Sequence, residues 1–170
     1  MTADPPGRMS RDAFLARFGG VWEHSPWIAG GAFDAGLPVE ADTAEGLHAA
    51  MVAVMRAAGD PEKLALIRAH PDLAGRLAAA GRLTAESTGE QASAGLNLLT
   101  DGERAEFLRL NEAYKARFGF PFIMAVKGRT KDEIRAGFLA RLENDPAAEF
   151  AEALRQIERI ALLRLKDLLP

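Results

Sequence analysis

The apolar positions of this chain recur with a helical period almost from end to end. Leu47, Met51, Val54, Met55 and Ala58 fall at the three- and four-residue intervals of one amphipathic helix face. Asp42, with Glu45 three residues on, predicts the start of that helix as a cap pair. Asp60-Pro61 predicts a restart, with aspartate as cap and proline at the first helical position. This next helix carries Leu64 and Ile67 and stops at His70, because Pro71 follows at once. DLAGRLAAA reads as a short helix running to Gly81, and STGEQASAGLNLL as another segment beginning at Ser87. Thr100 with Glu103, and Thr130 with Glu133, predict two capping boxes. They open helices carrying Ala105, Leu108 and Tyr114, and then Ile134, Phe138 and Leu142. Asp145-Pro146 with Glu149 opens the longest helix, which runs towards Leu169.

Strand-like alternation is nearly absent. The one candidate, FPFIMAV at 120–126, follows Gly119, a helix C-cap by type. With Pro121 near its front it reads as a short extended connector or buried segment. The expectation is an all-α, single domain over 1–170, with seven to nine helices around one core and residues 1–9 flexible. Trp22 and Trp27 are expected in that core.

Composition narrows the function more than the fold. At 170 residues, 48% hydrophobic and 26% charged, the chain has the make-up of a globular protein with a real core. A net charge of -3 with no basic block argues against a nucleic-acid partner. No cysteine occurs, which removes disulfides, thiolate metal sites and a thiol nucleophile. MTADPPGRMSRD lacks the apolar stretch of a secretory signal, and AAMVAVM is far short of a bilayer span, so no membrane is implied and the expected location is cytoplasmic. His24, His48 and His70 do not form a metal-ligand spacing, and no GxGxxG or Walker A stretch occurs.

Three polar groups sit where the pattern does not call for them. On the last helix, Phe150, Leu154, Ile157, Ala161, Arg164 and Leu168 share one face, so Arg164 interrupts an apolar stripe. A buried guanidinium needs an acceptor: a core carboxylate, an escape to the domain edge, or a planar ligand group. Ser87, Glu90, Gln91 and Ala94 share a face surrounded by small residues, which is either a solvated surface capped by Ser87 or a wall with room for a ligand. His70 stands before a proline, a position pushed out of the α region, at a helix end whose dipole favours imidazolium. It is either a structural helix-end residue or an acid-base group aimed by a rigid turn.

Taken in order, WEHSPWIA, HPDLAG, STGEQASAGL, LNEAYKARFGFPFIMAVKG and LLRL resemble the 2-oxo-4-hydroxy-4-carboxy-5-ureidoimidazoline (OHCU) decarboxylases of urate breakdown, from about residue 18 to 168. The resemblance implies an all-α, cofactor-free, homodimeric carboxy-lyase that forms (S)-allantoin; that no metal is expected rests on the histidine spacing. Carried over position by position, it implies His70 as the catalytic histidine and Glu90 as its carboxylate partner. Pro71, Ser87, Gln91, Arg164 and the backbone of Phe122 and Ile123 are implied to bind the small-molecule substrate. The rival expectations are another cofactor-free enzyme of a carboxylated ring, and a helical interaction module in which Arg164 and Glu90 form a structural core pair.

Overall fold

The computed structural model describes residues 4–73, 89 and 99–169. Among these residues there are seven α-helices and no strand: α1 Arg11–Phe18, α2 Pro26–Asp34, α3 Ala44–Ala57, α4 Asp60–Ala69, α5 Asp101–Phe118, α6 Lys131–Leu142 and α7 Pro146–Leu168. The all-α expectation holds. The two segments expected at 72–81 and from Ser87 lie largely outside the described residues. The chain forms two compact units, Met1–Ala69 with Glu158–Pro170, and His70–Ile157. None of the helices among the described residues is long and apolar enough to cross a membrane.

The first unit is built on aromatic and aliphatic side chains from α1 to α3: Phe14, Phe18, Trp22, Ile28, Leu47 and Met51 are all essentially inaccessible. Phe14 packs between Phe18 and Phe33 with tilted rings, their centroids 5.0 and 5.1 Å away, and the Trp22 indole N–H meets Met51 Sδ at 3.2 Å. Trp27, in contrast, is 40% exposed and not part of this core. The N-cap of α3 is Thr43, whose hydroxyl accepts from Gly46 N at 3.1 Å. Asp42, expected in that role, instead accepts from Gly7 N at 2.8 Å and ties down the 3-10 turn Pro6–Arg8. The next start is also shifted: Gly59 supplies the first helix-type carbonyl, to Lys63 N, so Asp60 already lies inside α4.

The second unit shows the local signals at their clearest. Thr130 and Glu133 make a complete capping box, and Asp145 Oδ1 caps α7 by accepting from Ala148 N at 2.9 Å. Thr100 caps α5, and the Glu103 carboxylate accepts from the Thr100 hydroxyl at 3.2 Å while pairing with Lys131 at 2.7 Å. Gly119 ends α5 in the left-handed region at φ 76°, a conformation glycine adopts without strain. Residues 121–126 then run without helix or strand, and all six are buried.

The stripe on α7 differs from the apolar expectation. The buried positions are Glu149, Ala153, Ile157, Ile160, Ala161, Arg164 and Leu165. Phe150 and Leu154 are only half-buried and Leu168 is 39% exposed. A carboxylate and a guanidinium therefore occupy the two ends of the buried face.

One glycine is required by packing. A methyl at Gly46 would lie 1.8 Å from the Glu40 carbonyl oxygen, a backbone atom that cannot swing aside. Gly46→Ala is expected to destabilise the fold by about 1–3 kcal/mol through overpacking, read as a lower urea midpoint at unchanged slope.

Candidate active site

His70 follows the last residue of α4 and is only 7% exposed. Two bonds from α5 hold the corner it begins. Asn111 Nδ2 donates to the Leu73 carbonyl at 2.6 Å, and Lys115 Nζ reaches Asp72 Oδ2 at 3.1 Å. Asn111 and Lys115 stand four residues apart and share a helix face, so one side of α5 holds two consecutive residues of the corner, Asp72 by its carboxylate and Leu73 by its carbonyl. Burial alone would push the Lys115 ammonium down; its hydrogen bonds to Asp72 and Glu112, with their charges, hold it above the ordinary lysine range.

Tyr114, between those two residues, serves the other predicted element. Its hydroxyl donates to Glu149 Oε1 at 2.5 Å, and burial followed by that bond pushes the phenol well up, so it remains a donor. Glu149 is wholly inaccessible. Its carboxylate also accepts from Arg141 Nε at 2.6 Å and Asn144 Nδ2 at 3.0 Å. Arg141 spends its remaining edge on the connector: NH1 donates to the Ile123 carbonyl at 2.5 Å, and the guanidinium carbon lies 4.3 Å from the Phe122 ring centroid. Phe122 in turn stacks on Phe138 at 3.7 Å. Sequence reasoning missed Arg141, Glu149 and Tyr114 as a set. The available signal was the carboxylate at the first turn of a helix whose neighbours on that face are apolar.

The connector is otherwise held by side chains. Ala125 N donates to Gln156 Oε1 at 3.0 Å, and Arg129 Nε donates to the Ala125 carbonyl at 3.1 Å. The N–H groups of residues 122–124 meet no acceptor among the described residues. Buried amides of this kind are a ready surface for a flat, carbonyl-rich ligand.

Arg164 belongs to the other unit. It is 4% exposed, and its NH1 donates to Glu23 Oε2 at 2.8 Å and to the Val21 carbonyl at 3.2 Å. Glu23 escaped notice in the sequence because it stands in an otherwise ordinary turn, next to His24, which adopts a left-handed φ of 48°. Pro71 is half-buried beside His70. Ser87, Glu90 and Gln91 lie outside the described residues. A surface hollow of about 450 Å³ at α5 and α6 is lined by Glu103, Glu106, Phe107, Lys131, Asp132 and Arg135, with none of the predicted site residues. Lys131 pairs with Glu103, and Arg135 with Glu106 at 2.6 Å.

The sequence model of the OHCU decarboxylase family matches residues 7–166. The chain is 41% identical over 168 residues to the uric acid degradation bifunctional protein PucL of Bacillus subtilis, covering 99% of this chain but 33% of that protein. It is 39% identical to the 2-oxo-4-hydroxy-4-carboxy-5-ureidoimidazoline decarboxylase of Haloferax volcanii, over 98% of this chain and 95% of the relative. A crystal structure of (S)-allantoin synthase superposes with a TM-score of 0.75 at 30% identity, covering 96% of this chain and 52% of that one.

The two bonds that hold the histidine corner differ in weight. Asn111→Leu leaves the Leu73 carbonyl without its buried donor and is expected to cost about 1–3 kcal/mol. Lys115→Ala removes a partly exposed ion pair and is expected to cost under about 1 kcal/mol. Chemical denaturation of both variants measures the difference.

Proposed function

The chain belongs to the OHCU decarboxylase family, and we propose on that footing that it converts 2-oxo-4-hydroxy-4-carboxy-5-ureidoimidazoline to (S)-allantoin and CO2 without a cofactor. The observation that supports this reading is the match of the family's sequence model over residues 7–166, beside a histidine, His70, that is buried at a corner tied to α5.

Decarboxylation without a cofactor needs an electron sink within the substrate, and OHCU has an unsaturated C–N unit next to the carbon bearing the carboxylate. When the bond to CO2 breaks, its electron pair forms a carbon–carbon double bond and the C=N pair moves onto ring nitrogen. A proton then goes to one face of the ureido-bearing carbon, and the hydroxyl proton leaves as the ring carbonyl forms. The protein's work is to orient the ring, stabilise the charge as it grows, and manage those protons on one face.

His70 is the proton-transfer group in this reading, and Glu90 fixes its tautomer and favours imidazolium. Pro71 aims the ring. Ser87 and Gln91 hydrogen-bond the urea groups, and the main-chain amides at Phe122 and Ile123 meet the flat ring edge. Arg164 binds a ring or ureido carbonyl rather than the departing carboxylate. A tight ion pair to the carboxylate would stabilise the ground state and oppose loss of CO2, and the pairing with Glu23 leaves Arg164 less net charge to attract one. The protein is proposed to act in the cytoplasm as a homodimer.

The test generates OHCU in situ from urate with urate oxidase and hydroxyisourate hydrolase and follows product by circular dichroism. Fast formation of an optically active (S) product, abolished by His70→Ala in a folded protein, is the expected result. Racemic product at the spontaneous rate with the wild-type chain removes the reading. Arg164→Lys, which loses the planar fork, is expected to lower kcat about 10–100-fold; in the same assay, a raised KM with unchanged kcat counts against the carbonyl role.

A further inference from the structure

The group centred on Glu149 takes no part in the proton transfers, and its composition is unusual for a purely structural feature. A buried ion pair seldom improves on well-packed apolar side chains for stability, because both charges lose their hydration. Here the pair is fully assembled: Tyr114, Asn144 and Arg141 all donate to Glu149, and Arg141 also holds Ile123 O and faces the Phe122 ring. The guanidinium thus has one edge on a fixed carboxylate and another on the connector that carries the substrate-binding backbone.

That connector needs such a tether. It lies between α5 and α6 and, among the described residues, has no ladder of main-chain hydrogen bonds to set its height or tilt. The Arg141 bond to Ile123 O, with the side-chain bonds to Ala125, takes the place of the ladder. A charged donor on the Ile123 carbonyl also polarises the 123–124 peptide and makes the Met124 N–H a better donor.

We propose that Arg141 is a positioning residue for the reaction: it fixes the Ile123 carbonyl and the Phe122 ring so that the amides of residues 122–124, which meet no acceptor among the described residues, form a preorganised donor set for the charge developing on the substrate. The inference rests on the decarboxylase reading and extends it to a side chain that touches no substrate. Tyr114 and Glu149 act one step further back, by fixing the guanidinium.

The test compares wild type, Arg141→Met, Arg141→Lys and Phe107→Leu in the circular dichroism assay, with Tm measured for each. Arg141→Met is expected to lower kcat about 10–100-fold, the scale of a small misplacement of reacting groups, with KM moving far less. Arg141→Lys, which keeps one donor for the Ile123 carbonyl, is expected to recover part of the loss. Phe107→Leu perturbs the packing of the same unit and is expected to lower Tm while keeping wild-type kcat. Wild-type kcat in Arg141→Met overturns the inference, as does an equal kcat loss in Phe107→Leu at matched Tm. If Arg141→Met does not fold, Tyr114→Phe decides: a lowered kcat in a folded protein supports the role, and an unchanged one overturns it. Absence of OHCU turnover by the wild type removes the functional reading and this inference together.

Discussion

A carboxylate with no access to water sets the terms for the second unit. Glu149 is wholly buried, and an isolated charge there is prohibitive, so every neighbouring element is arranged to answer it. α5 answers with Tyr114, α6 with Arg141, and the turn before α7 with Asn144. Because each donor comes from a different element, satisfying one carboxylate fixes three backbone segments relative to one another. Removing one partner of a buried pair costs about 3–5 kcal/mol, a large share of the stability of a domain this size. The connector at 121–126 inherits that rigidity through Arg141.

What the sequence made legible is what neighbouring residues decide among themselves. Thr130 with Glu133 and Asp145 before Pro146 cap their helices through contacts three residues long, and the sequence pattern located both. Gly119 and Pro71 end their helices for backbone reasons that need no partner. The errors share the opposite cause. Asp42 and Thr43 are both good caps, and the choice between them turns on Gly7, thirty-five positions away in sequence. The face of α7 was drawn through Phe150 because periodicity counts apolar side chains. Its true first member is Glu149, whose partners lie elsewhere in the sequence. Trp27 fell outside the core because bulk alone does not settle which side of a short helix turns inward.

The candidate site divides in the same way. His70 was conspicuous from its position alone, and Arg164 from the stripe it interrupts. Glu23 and Arg141 were not, because their roles are relational: each matters for the group it holds rather than for its own place in a pattern. α5 shows how much one helix can carry in this manner. Within five residues it holds the histidine corner through Asn111 and Lys115 and, through Tyr114, reaches the carboxylate that steadies the connector.

Recognition through main-chain amides, as proposed for residues 122–124, would have a consequence for how such a protein varies. Every residue but proline presents the same N–H, so replacing Phe122, Ile123 or Met124 alters the core around the amides without changing the group a ligand meets. Selectivity at that edge is thereby separated from local side-chain identity and is set by where the main chain lies. Drift among apolar residues there is tolerated chemically, while a new ligand preference has to come from changes in the helices behind, where the backbone's position is decided.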